Sequence, residues 1–293
     1  MKTHLVSDNS VKQIEIVKVK DNISFHCTDE VSAEEPLEIR IVYNVADKKE
    51  SKNISVTMRT PGHDPDLAAG FLFTEGIITG FEQIKNIYFP KTECSRSTEN
   101  IVTVELNDGF APELMKADRN FYTTSSCGVC GKGSIDSIKT VSIFKDHPKQ
   151  NAVVALEMLY GLSEKLQAFQ NNFSATGGIH ASGLFDLEGN LLVLREDVGR
   201  HNALDKLIGH TLSSNMLPLD NKILLLSGRA SFELIQKAAM AGITIVAAIG
   251  APSSLAIELA KEFDITLLGF LRNSRFNIYH SGSHFKIENL YEN

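Results

Sequence analysis

The chain has 293 residues, 43% of them apolar and 22% charged, with a formal net charge of −7. That is the composition of a soluble globular protein with room for one large domain or two ordinary ones. The acidic balance excludes non-specific nucleic-acid binding by the whole surface and leaves only a local basic cleft open to anions.

The opening Met1-Lys2-Thr3-His4-Leu5 runs into polar sequence without an apolar signal core, and the longest apolar run, 243–251, is far too short to span a bilayer. The expectation is a cytoplasmic protein with neither a membrane nor a nucleic-acid partner. In a reducing compartment a close cysteine pair points to catalysis or metal binding rather than to a structural disulfide.

In chain order, residues 1–12 read as a disordered tail. Strand-like runs follow at 14–19, 23–26, 37–45 and 54–59, the last two with partial alternation of apolar and polar residues. Asp64-Pro65-Asp66 marks a helix start, with proline at the first helical position and acid in the first turn. That helix carries Leu67, Phe71 and Leu72 inward and ends near Gly76. Strands at 87–89 and 101–106 complete an α+β unit over 13–120. The cysteine segment, 121–134, reads as a mobile loop at a junction between 118 and 126.

The pattern then changes. Leu156, Leu159, Leu162, Leu166 and Phe169 recur at helical spacing within 153–169. Strands at 179–185 and 191–194 flank Asp186-Leu187-Glu188-Gly189-Asn190, a hairpin loop. Helix 198–208, strand 223–226, helix 232–241, strand 243–248, helix 254–263 and strand 265–270 then alternate. Short buried strands alternating with helices predict an α/β layer, at least partly parallel, over 135–293.

The chemistry concentrates in Ser125-Ser126-Cys127-Gly128-Val129-Cys130-Gly131-Lys132-Gly133. Glycines leave both sulfurs uncovered, and a nearby cation favours thiolate, the nucleophilic form. A structural zinc site lacks a second ligand pair. A zinc deaminase lacks His-x-Glu and a proline before the cysteines. A thioredoxin-type exchanger needs its first cysteine at a helix start rather than in a glycine-rich loop. A thiolate that accepts and passes on sulfur remains, beside a chaperone that only clasps metal and a dithiol redox enzyme. Cys27 and Cys94 read as small apolar fillers.

Three strand exits carry glycine and arginine: Ser227-Gly228-Arg229, the 249–253 loop, and Phe270-Leu271-Arg272-Asn273-Ser274-Arg275. At the carboxyl ends of parallel strands such loops offer N–H donors and cations to phosphates. Neither a Walker loop nor a G-x-G-x-x-G follows a strand, which argues against a nucleotide triphosphatase and a dinucleotide dehydrogenase. Arg200 and His201 sit in the first turn of a helix that Asp197 could cap. Cations there oppose the helix dipole unless an anion binds or Arg200 pairs with Asp197 or Glu196. His180, following Gly177-Gly178-Ile179, reads either as a ligand or base or as a buried, hydrogen-bonded histidine.

Five segments in order, Ser126 to Lys132, Thr176 to Ala181, Arg195 to Lys206, Ser227 to Glu233 and Gly269 to Arg272, resemble the formate dehydrogenase accessory sulfurtransferase family (FdhD). The resemblance extends over about 36–279. It implies a β-grasp-like N-terminal part, a C-terminal domain of cytidine-deaminase-like three-layer fold without zinc chemistry, and a homodimer. It implies that sulfur passes as a persulfide from a cysteine desulfurase to the bis-(molybdopterin guanine dinucleotide) molybdenum cofactor, destined for the formate dehydrogenase catalytic subunit. Cys127 is then the carrier and Cys130 secondary, with no intrinsic metal. The cofactor, a bound substrate, would engage Ser227, Gly228, Arg229, Phe270 to Arg275, His180, Arg200 and His201, with guanosine diphosphate (GDP) as its fragment mimic.

Overall fold

The computed structural model describes residues 9–46, 48–90, 98–110, 112, 142–288 and 290. It is a mixed α/β molecule. Strands β3 (Glu35–Val45), β4 (Lys48–Arg59), β5 (Ile84–Tyr88) and β6 (Ile101–Leu106) form a four-stranded sheet in the order β4-β3-β6-β5. Period-2 burial builds it: Leu37, Ile39 and Ile41 point inward from β3, and Val102, Val104 and Leu106 from β6. Helix α1 (Asp64–Thr74) lies on that inner face through Leu67 and Leu72. Each such side chain, fully buried, contributes roughly 1.5–3 kcal/mol.

The larger sheet has six strands in the order β13-β12-β11-β10-β8-β9. These are β8 (His180–Phe185), β9 (Leu191–Asp197), β10 (Ile223–Leu226), β11 (Ile245–Ala248), β12 (Thr266–Arg272) and β13 (Arg275–His280). Only β10, β11 and β12 run parallel to one another; β8, β9 and β13 join antiparallel. Ile223 to Leu226 are all buried because both faces are covered. Leu224, Leu226, Val246 and Leu267 face a core shared with α4 (Arg200–Ser213), α5 (Phe232–Met240) and α6 (Ser254–Glu262). Ile223, Leu225, Ile245 and Leu268 face α2 (Leu156–Phe169). The short helix α3 (Asn171–Thr176) follows α2.

The two sheets share one core through α1 and α4. Gly70 of α1 and Gly209 of α4 make that crossing close. A Cβ on Gly70 would overlap the Asp205 carbonyl, and one on Gly209 the Asp66 carbonyl. Among the described residues no helix is long and apolar enough to cross a membrane.

Several expected boundaries change. The expected helix over 153–169 begins at Leu156, because Ala152–Ala155 form strand β7, paired in parallel with β14 (Phe285–Glu288). Val153 and Val154 alternate there between exposed and buried. Phe169, expected on the inward stripe of α2, is exposed. Strand β1 (Val11–Lys20) enters the expected tail, and β2 (Ile23–Ser32) extends its ribbon well beyond residue 26. Helix α4 starts two residues later than expected and runs on to Ser213. The expected loop 270–275 is the tip of a β12–β13 hairpin, where Arg272 pairs with Arg275 and Ser274 turns at φ 65°. The 118–126 junction and the 121–134 cysteine loop lie outside the described residues.

Candidate functional site

The carboxyl ends of β10 and β11 are tied into the sheet by their own backbone. Ser227 N–H donates to Ala181 O at 3.0 Å, while Ala181 N–H donates to Ser227 Oγ at 2.8 Å. Gly250 N–H reaches Gly228 O at 2.9 Å, and Phe270 N–H reaches Gly250 O at 3.1 Å. Gly250 is required by this close approach: a Cβ there would lie 3.0 Å from the Arg229 backbone nitrogen. A Cβ on Gly228 would come within 3.3 Å of His180 Nδ1, so the small residue leaves the imidazole its place.

Beside these loops opens a cleft of about 930 Å³. Its volume is at the upper end of the roughly 300–1,000 Å³ range of small-molecule sites. One wall is the polar face of α2, with Ser163, Glu164, Gln167 and the following Gln170. Helix α3 and its exit supply Phe173, Gly177 and Gly178. The floor carries Ile179, His180, Val198, Ser227 and Ile249, and the hairpin contributes Leu271, Arg272, Asn273 and Arg275.

The cleft therefore gathers His180, Ser227, Leu271, Arg272, Asn273 and Arg275 from three separate segments of the expected set. Gly228 lies directly beneath His180. Phe270, at φ 55°, and Ser274 are exposed on the hairpin outside the lining, as is Arg229 beyond β10. Arg200 and His201 also lie outside the lining. His201 Nε2 is 2.8 Å from Glu233 Oε2. Of the 249–253 loop, expected in the same crevice as Arg272 and Arg275, only Ile249 lines the cleft, and neither α5 nor α6 contributes a lining residue.

Electrostatics separates the charged groups. Burial, reinforced by the charge on Arg200 and by His201, lowers the pKa of His180, with Asp197 opposing. The imidazole is thus uncharged at neutral pH, able to donate from one nitrogen and accept at the other. Arg272 and Arg275 are exposed, and their side chains make no hydrogen bond or ion pair among the described residues. Two unpaired guanidinium groups at a cleft mouth can clamp an oxyanion such as a diphosphate.

Behind the lining, Glu196 and Asp197 take roles other than those expected. Glu196 Oε2 and Oε1 accept the N–H groups of Asn172 and Phe173, each at 3.0 Å. Burial raises the Glu196 pKa against these bonds. Its carboxylate fixes the start of α3 and so places Phe173. Asp197 does not cap α4, whose N-cap is Gly199. It belongs to β9 and accepts Gly199 N–H at 2.8 Å and Thr60 N–H at 3.0 Å. Its ion-pair partner is Lys206 at 2.7 Å, not Arg200, which makes no ion pair among the described residues. The glutamine amides on α2 carried no signal beyond the polar side of an amphipathic helix. For Lys206 a signal was available, a charge inside the apolar run Ala203-Leu204-Asp205-Lys206-Leu207-Ile208.

Among the described residues no group of three or more His, Cys, Asp or Glu side chains converges as a metal site. Cys127 and Cys130 lie outside the described residues.

Residues 32–286 match the FdhD/NarQ family. The sulfur carrier protein FdhD of Streptomyces avermitilis is 45% identical over 271 residues, covering 92% of this chain and 93% of that protein. The protein of the same name from Mycolicibacterium paratuberculosis is 48% identical over 248 residues, 84% of this chain and 88% of its own. A crystal structure from Desulfotalea psychrophila, described as a formate dehydrogenase accessory protein, superimposes with a TM-score of 0.69 at 22% identity. It covers 94% of this chain and 99% of its own length, so the shared fold runs through both sheets. With a family match over most of its length and relatives at this identity, the chain belongs to the FdhD/NarQ family.

Proposed function

We propose that this protein is a cytoplasmic sulfur carrier for formate dehydrogenase maturation. It takes persulfide sulfur from a cysteine desulfurase and delivers it to the molybdenum of a bis-(molybdopterin guanine dinucleotide) cofactor held as substrate. Cys127 thiolate attacks the terminal sulfur of the desulfurase persulfide. The S–S bond to the desulfurase breaks as the new S–S bond to Cys127 forms, and the desulfurase leaves as a thiolate. Lys132, five residues beyond Cys127, favours the attacking thiolate. Cys130 is secondary, and the carrier works as a homodimer with the dehydrogenase catalytic subunit as client.

The observation that carries this reading is the cleft of a chain in this family, with Arg272 and Arg275 unpaired at its mouth. The relatives' name, sulfur carrier protein, supports the transfer step. The residues present fit a nucleotide diphosphate end: arginines for the diphosphate, amides and an aromatic ring for a base, and an uncharged His180 on the floor. When bound, the cofactor would supply the metal that receives sulfur and the two electrons that take it to sulfide; the chain holds its nucleotide ends and presents the Cys127 persulfide, whose S–S bond breaks with Cys127 leaving as thiolate.

The test is activation of a client formate dehydrogenase. Cys127→Ala abolishes it, whereas Cys130→Ala retains part of it. Equal and total loss in both variants would assign a dithiol mechanism instead.

A further inference from the structure

The cleft contains a group that the anion reading leaves without a task. Glu164, on α2, is the one acidic residue among its described lining residues. A carboxylate beside two arginines would ordinarily neutralise them, and it would weaken phosphate binding if it stood alone. No such neutralisation occurs here. Glu164 makes no ion pair with Arg272 or Arg275, and its Oε1 instead accepts Asn273 Nδ2 at 2.5 Å. Ser163, the preceding residue, sits 3.5 Å from Asn273 Oδ1. Helix α2 and the hairpin tip thus meet through a polar clasp that leaves Glu164 Oε2 as a charged acceptor on the cleft wall.

A charged acceptor inside an anion-binding cleft selects for a ligand with hydrogen-bond donors at the end remote from its phosphates. Guanine meets that requirement and adenine does not. Its Watson–Crick edge presents adjacent N1–H and N2–H donors, which a carboxylate can accept together, whereas adenine presents an acceptor at N1. Protein sites commonly read an unpaired base on that edge while an aromatic side chain covers its face. Phe173 on α3 is the aromatic residue among the described lining residues.

We propose that Glu164 is the specificity-determining residue for the base, reading the N1–H and N2–H donors of guanine, with Asn273 as the residue that positions its carboxylate. This rests on the reading of the cleft as a site for the nucleotide end of the cofactor. It assigns the arginines to phosphate and the carboxylate to base choice.

Calorimetric titration with GDP, inosine diphosphate (which lacks the 2-amino group) and adenosine diphosphate tests it, on the parent chain and on Glu164→Gln. The glutamine keeps an acceptor for Asn273 but removes the charge, so the clasp survives. The parent binds GDP on the order of tenfold to a hundredfold more tightly than adenosine diphosphate, with inosine diphosphate between them. Glu164→Gln loses most of that preference. Inorganic pyrophosphate binds the variant at least as tightly as the parent, because a negative charge near the arginines is gone. If the parent prefers GDP and Glu164→Gln keeps the full preference, Glu164 does not read the base, while the nucleotide reading stands. If the parent binds none of the three nucleotides, the nucleotide reading falls and this assignment with it.

Discussion

The charges between the two sheets and the charges at the cleft mouth are handled in opposite ways. The buried cations Lys206, Lys237 and Arg59 are each matched. Lys206 and Asp197 stand 2.7 Å apart with side chains 1% and 0% exposed, and Lys206 also donates to the Thr60 carbonyl at 2.7 Å. Lys237 pairs with Asp205 at 3.0 Å and donates to Thr74 Oγ1 at 2.8 Å. Arg59 pairs with Asp64 at 2.9 Å and reaches Asn100 Oδ1 at 3.1 Å. At the cleft, Arg272 and Arg275 have no partner among the described residues. A charge removed from water must be paired and hydrogen-bonded, whereas an unpaired one persists only where water or a ligand reaches it. The paired set holds the frame, and the unpaired set is free for a ligand.

The contrast breaks most sharply at Lys206. Lys206→Met leaves the Asp197 carboxylate buried without its cation and the Thr60 carbonyl without its donor. The expected loss is about 3–5 kcal/mol of unfolding free energy by urea denaturation. A double variant with Asp197→Leu as well should lose less than Lys206→Met alone, since no unpaired charge is then left buried at this site. A single variant as stable as the parent would show that this pair does not hold the frame.

Arg272→Ala and Arg275→Ala should show the converse. Each weakens GDP binding by about 1.5–3 kcal/mol, the worth of a charged hydrogen bond, read by calorimetry. Their unfolding midpoints stay at the parent value, because no intramolecular bond is lost. If both variants bind GDP like the parent, the nucleotide lies elsewhere, with Arg200 and His201 the next candidates.

Much of this frame is legible in the residues. Alternation over β3, the Pro65 helix start and the apolar run of β10 are local signals, and the structure follows them. What escapes is set by distant partners. Val153 and Val154 form a strand because Lys286 and Ile287 lie beside them, more than a hundred residues along the chain. Arg272 and Arg275 read as loop residues because two preceding strands run into helices, yet Asn273 and Ser274 turn the chain back on itself. The site was half legible. Glycines and arginines marked its floor and mouth, whereas Glu164 and Gln167 belong to a helix face that looks merely solvated until the hairpin closes over it. The seam between the sheets left one trace, the Asp205-Lys206 charges inside an apolar stretch.

The most direct test of sulfur carriage is mass spectrometry of the intact chain and its peptides after incubation with a cysteine desulfurase and free cysteine. The account predicts a mass gain of one sulfur atom on the peptide containing Cys127, removed by a thiol reductant and absent from Cys127→Ala. A chain that gains no sulfur under conditions in which the desulfurase itself becomes persulfurated would contradict it.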